Sequence, residues 1–204
     1  MTRVCLVGSP DVVLRYELLS RETAREALST YDLSEPFENA ISLETVSVGA
    51  AVSLLNDLNW YLTRFVDTAF VREPSIDADE WLSRELAEAV RNDRVDPAET
   101  GTYLKIYGVV SEDDGAPEPA GPGASGDRSG AAAAEGASSA DAADAGAADA
   151  GAATEPSAGA VQTGPGKLVE PLYVRRTDGS VPEYDLRDVE ETVVVRVTES
   201  EFET

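Results

Sequence analysis

Between Gly49 and Phe70 the chain reads AAVSLLNDLNWYLTRFVDTA, and at 3.6 residues per turn these residues divide into two faces. Ala51, Leu54, Leu55, Leu58, Tyr61, Leu62, Phe65, Val66 and Ala69 form an apolar stripe. Ser53, Asn56, Asp57, Thr63, Arg64 and Asp67 form the opposite arc, with Trp60 at its centre. Burying a large apolar side chain contributes ~1.5–3 kcal/mol, so the stripe is expected to floor the core as one helix over 49–70. Trp60 then lies on the face turned away from that floor. Asn56 and Arg64 flank it one turn away on either side, and Arg64 can stack on the indole. A tryptophan set in a polar arc implies a cover, either the protein's own third helix and loops or a partner that uses Asn56, Trp60 and Arg64 as anchors.

Residues 111–166 limit how much chain can join that core. They contain one valine, no other branched aliphatic residue and no aromatic residue, and an AADAG unit at 142–146 repeats at 147–151. Such a segment cannot bury enough surface to offset its ordering entropy and reads as a disordered acidic linker. Its span would be ~40 Å, and closing it costs only about 2 kcal/mol more than a short turn. The remaining 148 residues suffice for one domain.

Around the linker the pattern reads as alternating elements. A strand at 3–7 is followed by Gly8-Ser9-Pro10-Asp11, which reads two ways. Ser-Pro-Asp is a helix-start signal. The alternation of Leu14, Tyr16 and Leu18 with Arg15 and Glu17 argues instead for a second hairpin strand over 11–19, the reading preferred here. Ser20 is expected to cap a helix at 21–31 whose core face is Ala24, Ala27, Leu28 and Tyr31. A strand at 41–47 precedes the organising helix. Asp77 and Glu80 have capping-box spacing for a third helix at 77–92, with Trp81, Leu82, Leu86 and Ala89 in its stripe. Strands at 102–110 and 168–176 follow, then an Asp178-Gly179 turn returning through Val181–Leu186, and a last strand at 192–198. The expected class is α+β: a single domain with a largely antiparallel sheet and about three helices packed mainly on one side. Residues 1–110 form its first part, 111–166 the insertion, and 167–204 its second part, a β-hairpin plus a final strand.

The segments SRETAREAL (20–28), LLNDLNWYLTRFVD (54–67) and PEYDLRDVEETVVVRV (182–197) resemble an uncharacterised family of small haloarchaeal proteins. The resemblance implies a salt-rich cytoplasm and attaches no function.

Charge agrees with that compartment. The chain holds 39 acidic and 16 basic residues, for a net charge of -23, and only Lys105 and Lys167 are lysine. At molar salt the Debye length is ~3 Å, so a carboxylate-rich surface stays hydrated while its self-repulsion is screened. No stretch approaches 18 uninterrupted apolar residues, so neither a membrane span nor a signal segment is expected and the location read is cytoplasmic. With no histidine and one cysteine, Cys5, imidazole acid–base chemistry, Cys-His nucleophiles, intrachain disulfides and Cys-cluster metal sites fall away. No cofactor-binding or catalytic motif is found.

Three functions are therefore expected in order. The first is a non-enzymatic protein-interaction or regulatory module, docking an unidentified protein partner or a second copy through Asn56, Trp60 and Arg64. The second is a surface for single-stranded nucleic acid or anions. Tyr103, Lys105 and Tyr107 alternate on one strand, Tyr173 and Arg175 on another, opposed by Leu104, Ile106, Leu168, Leu172 and Val174, and Arg196 faces away from Val193–Val197. Aromatic residues interleaved with cations stack bases and meet phosphates, although the net charge disfavours nucleic acid. The third is a carboxylate- or divalent-metal-dependent hydrolase on Asp185, Asp188, Glu190 and Glu191, where clustered oxygens could hold Mg²⁺ or Ca²⁺.

Overall fold

Val66 is where the structure leaves the helical stripe. In the computed structural model, which describes residues 1–111, 165–177, 179–189 and 191–203, the segment expected as one helix is three elements. Helix α3 (Val48–Asp57) is capped by Ser47, whose side chain accepts from the Ala50 N–H. After a break at Leu58, helix α4 (Asn59–Phe65) follows, and strand β3 (Val66–Arg72) takes the rest. Leu54, Leu55, Leu58, Leu62 and Phe65 are buried as expected. Residues 66–71 instead adopt the extended form that β-branched and aromatic residues favour when strand partners lie on both sides.

Those partners are β1 (Thr2–Gly8) and β4 (Trp81–Ser83). With β2 (Ala40–Thr45), β5 (Tyr103–Val110), β6 (Lys167–Arg175) and β7 (Glu191–Arg196), they form a seven-stranded sheet in the order β2-β1-β3-β4-β7-β5-β6. Every neighbouring pair is antiparallel except β4–β7. Strands from both sides of the low-complexity segment thus share one sheet. The reading of that segment as disordered concerns residues that lie almost wholly outside those described.

Among the described residues, six α-helices stand where about three helices were expected. The second strand predicted over 11–19 is helix α1 (Leu14–Leu19). Leu14 and Leu18 are buried and Tyr16 is exposed, because an i, i+4 pair satisfies a helix as readily as an alternation satisfies a strand. Asn39 anchors the helix start: its Oδ1 accepts from the Leu14 N–H, and its Nδ2 donates to the Ser9 and Val12 carbonyls. Helix α2 is shorter than expected, Glu22–Leu28, and Ser20 closes α1 rather than opening α2. The predicted helix at 77–92 begins late. Asp77 Oδ1 accepts from the Asp79 and Glu80 N–H groups, but the turn delivers the chain into β4. Ser83 then caps helix α5 (Arg84–Arg91). A last short helix, α6 (Glu199–Phe202), carries a Thr198–Glu201 capping box.

Alternation through β1–β4 sends Val4, Leu6, Ile41, Leu43, Ala69, Val71 and Leu82 toward α1–α5, forming the main core. Over β5 the same side is covered by residues 181–189, and the stretch Val181–Leu186, expected to return as a strand, does not form one. The Gly179 turn closes only a Thr177–Ser180 bridge, and Tyr184 packs where a side chain at Gly108 would collide with it. The other side holds a second cluster of Cys5, Phe70, Trp81, Tyr107, Val193 and Val195. Here the sheet curls until its edges meet: the Glu38 N–H donates to the Gly166 carbonyl at 2.9 Å, joining the entry of β2 to the entry of β6.

Candidate functional site

The curled side of the sheet is hollow. Two cavities, of about 700 and 420 Å³, flank Thr68 on β3. The larger reaches from Val7 and Ala40 to Tyr107 and Leu168, with the Arg15–Glu35 and Lys167–Glu38 pairs along it. A bulge between Ile106 and Gly108 shifts the β5–β6 register. It carries Leu168 to the hollow side, against the expectation that Leu168 shares a face with Leu172 and Val174.

The tyrosine–cation row comes together on this side, as its alternation implied. The Lys105 ammonium lies 4.9 Å from the Tyr107 ring centroid and 5.3 Å from that of Tyr173, and the Arg175 guanidinium lies 5.6 Å from Tyr103. The three tyrosines differ in what they can offer. Tyr107 is 5% exposed and packs edge-on against Phe70 at 5.6 Å. Tyr103 donates its hydroxyl to Glu199 at 2.6 Å, a bond that raises its phenol above the ordinary tyrosine value, and its ring packs on Phe202. Tyr173, 43% exposed, is the open one of the three.

Arg196 lies on the opposite side, as its register opposite Leu104 requires, but it is no surface cation. Its guanidinium is buried and bonded to Asp77, Glu80 and Thr100, while Arg176 also pairs with Glu80. Neither Asp77 nor Glu80 was singled out for this role. The carboxylates stand 119 and 116 positions from the arginine they meet.

Trp60 is 55% exposed, and no element among the described residues closes over it. Its ring packs edge-on against Tyr61 and Phe65, with the Arg64 guanidinium at 5.3 Å and that of Arg21 at 5.8 Å. Asn56 is turned to α5, where it and Asn59 accept from Arg84 Nη2 at 3.3 and 2.8 Å. Arg64 and Arg84 have no ion pair among the described residues. Of the acidic cluster, Asp185, Asp188 and Glu191 are exposed, and Glu190 lies outside the described residues. Among the described residues no three His, Cys, Asp or Glu are grouped to hold a metal ion. No described helix is long and apolar enough to cross a membrane.

A curled, mostly antiparallel sheet backed by helices and hollow on its other side makes this an α+β protein with ligand-sized cavities. The chain belongs to a family of unknown function, DUF5804, which it matches over residues 2–109. That span holds the 20–28 and 54–67 segments and ends within β5, while 182–197 lies beyond it. No curated protein and no solved structure matches the chain.

Proposed function

We propose that this protein is a non-enzymatic interaction module of a salt-rich cytoplasm. It docks an acidic segment of a partner protein on the surface around Trp60. The observation that carries this reading is an indole left 55% exposed beneath two guanidinium groups on a chain with net charge -23. Tryptophan and arginine are the side chains on which interface energy concentrates. Here Arg64 and Arg84 have no carboxylate partner of their own among the described residues, so carboxylates beside an apolar anchor would complement the patch.

The test compares wild type with Trp60→Ala at native salt. The expected result is a purified partner with an acidic contact segment whose affinity falls ~30-fold or more, an effect of at least ~2 kcal/mol. The melting temperature should barely move, because the indole is half in water. Phe65→Ala serves as the control: at 8% exposed it should cost ~3–5 kcal/mol. Equal partner affinity in the two proteins would overturn the reading. Self-association that Trp60→Ala abolishes would replace the acidic partner with a second copy.

A further inference from the structure

Lys105 is an ammonium with no ion-pair partner among the described residues. It is one of two lysines in a chain of 39 carboxylates. What surrounds it is aromatic, with Tyr107 on one side and Tyr173 on the other. The Tyr107 hydroxyl is fully buried and, among the described residues, makes no well-formed hydrogen bond. Burial pushes that phenol up, so it stays protonated and supplies no negative charge. Burial alone would lower the Lys105 ammonium, but the facing tyrosine hydroxyls outweigh it and raise it, so the lysine stays charged. Half-buried between the two rings and with no carboxylate at ion-pair distance among the described residues, the ammonium is open to a bound anionic group.

The cavity that Lys105 lines has about 420 Å³, within the range of small-ligand sites. Thr68 and Phe70 come to it from β3, Glu85 from α5 and Glu201 from α6. Glu201 is held in place, its Oε2 accepting from Ser83 Oγ at 2.7 Å and from the Thr198 N–H at 2.8 Å. The charges sort possible ligands. A simple anion would meet Lys105 but also two carboxylates, and a simple cation would meet the reverse. A molecule carrying both charges on a short apolar body satisfies all three groups, with Phe70, Val195 and Val197 beneath the body.

We propose that this cavity binds a small zwitterion of the amino-acid class. Its carboxylate lies on Lys105 and Thr68, and its ammonium lies toward Glu85 and Glu201. The site is separate from the Trp60 surface, so either can fail without the other.

Calorimetric titration of the full chain in molar KCl tests it, with L-leucine and L-phenylalanine as zwitterions, 3-phenylpropionate as the anion alone and phenethylamine as the cation alone. The expected result is saturable binding of at least one amino acid, about tenfold or more tighter than either singly charged probe. Lys105→Met and Glu85→Gln should each weaken it by about tenfold, and Trp60→Ala should leave it unchanged. No saturation by either amino acid, equal affinity for 3-phenylpropionate, or unchanged binding in a folded Lys105→Met protein would overturn the proposal. If Lys105→Met fails to fold, the comparison of probes on the wild type decides alone.

Discussion

Arg196 and Asp77 stand 119 positions apart in the chain, and Arg196 Nη2 donates to Asp77 Oδ2 at 2.6 Å. The same guanidinium donates through Nε to Glu80 at 2.6 Å and through Nη1 to Thr100 at 3.0 Å. This cluster sits at the one parallel join of the sheet, where β4 and β7 share only the pairs Trp81–Val195 and Leu82–Arg196. So short a join gains little from its own ladder, and the ion pairs pin the turn before β4 to the last strand.

Arg196→Met should therefore cost about 3 kcal/mol or more. It leaves Asp77 without an ion pair and Glu80 with Arg176 alone, in a site where the Arg196 and Glu80 side chains are 10% and 14% exposed. The loss should depend on pH. Burial would raise the Asp77 carboxyl, but the Glu80 and Asp79 N–H groups and the Arg196 charge outweigh it and hold it below the ordinary value. A carboxyl depressed in the folded state contributes stability above its unfolded value of about 3.9, and that contribution is lost as pH falls through the folded value. Urea unfolding from pH 7 to pH 2.5 should show a shallower acid limb in Arg196→Met than in wild type. Identical limbs would mean that the arginine does not set the acid sensitivity.

Cys5 gives a probe of the curled side. It is fully buried between Ser42 on β2 and Phe70 on β3. Burial, offset only in part by the Arg3 charge, pushes its thiol up to about 12. Because the thiolate is the reactive form, an aromatic disulfide reagent at pH 8 should label native protein only at the rate of unfolding and denatured protein at once. Rapid native labelling would mean that the β1–β2–β3 centre opens without global unfolding.

How far the sequence discloses these features depends on whether the signal is local. The Leu54–Leu55–Leu58–Leu62–Phe65 stripe reads correctly because each residue meets the core at helical spacing. Val66 and Ala69 continue that spacing by coincidence, so the start of β3 is invisible without the strands on either side of it. Asp77 caps a turn with the same N–H groups that would open a helix, and the three-residue β4 is too short to show a period. The alternation of Tyr103, Lys105 and Tyr107 places them on one side. Nothing local says that Thr68, Phe70, Glu85 and Glu201 line the same cavity, or that Arg196 is buried against carboxylates more than a hundred positions away.

Salt should separate surface charge from the buried cluster. With 39 acidic residues against 16 basic ones, unscreened repulsion destabilises the folded chain in dilute buffer, and molar KCl shortens its range to ~3 Å. The melting temperature should rise steeply between dilute buffer and molar KCl. The deficit of Arg196→Met should persist throughout, because enclosed pairs are screened far less than exposed ones. Equal wild-type melting temperatures at the two salt concentrations would refute the salt-adapted reading.

Strands β5 and β6 pair antiparallel with Val110 opposite Lys167, so the ends of the low-complexity segment are already neighbours across a ladder. We expect residues 112–164 to be replaceable by a short glycine-containing turn. The junction has to keep Gly166: a side chain there would come within 2.5 Å of Val109 Cγ1, and its carbonyl accepts the Glu38 N–H that joins the sheet edges. Closing a few residues instead of more than fifty lowers the loop entropy cost by about 2 kcal/mol, so urea unfolding in molar KCl should show stability unchanged or raised by up to that amount. Amino-acid titrations of the shortened chain should match wild type, since the Lys105 cavity draws on neither junction. Failure of the shortened chain to fold cooperatively in molar KCl would show that the removed segment is part of the folded structure, and the division of the chain into one domain and an insertion would fall with it.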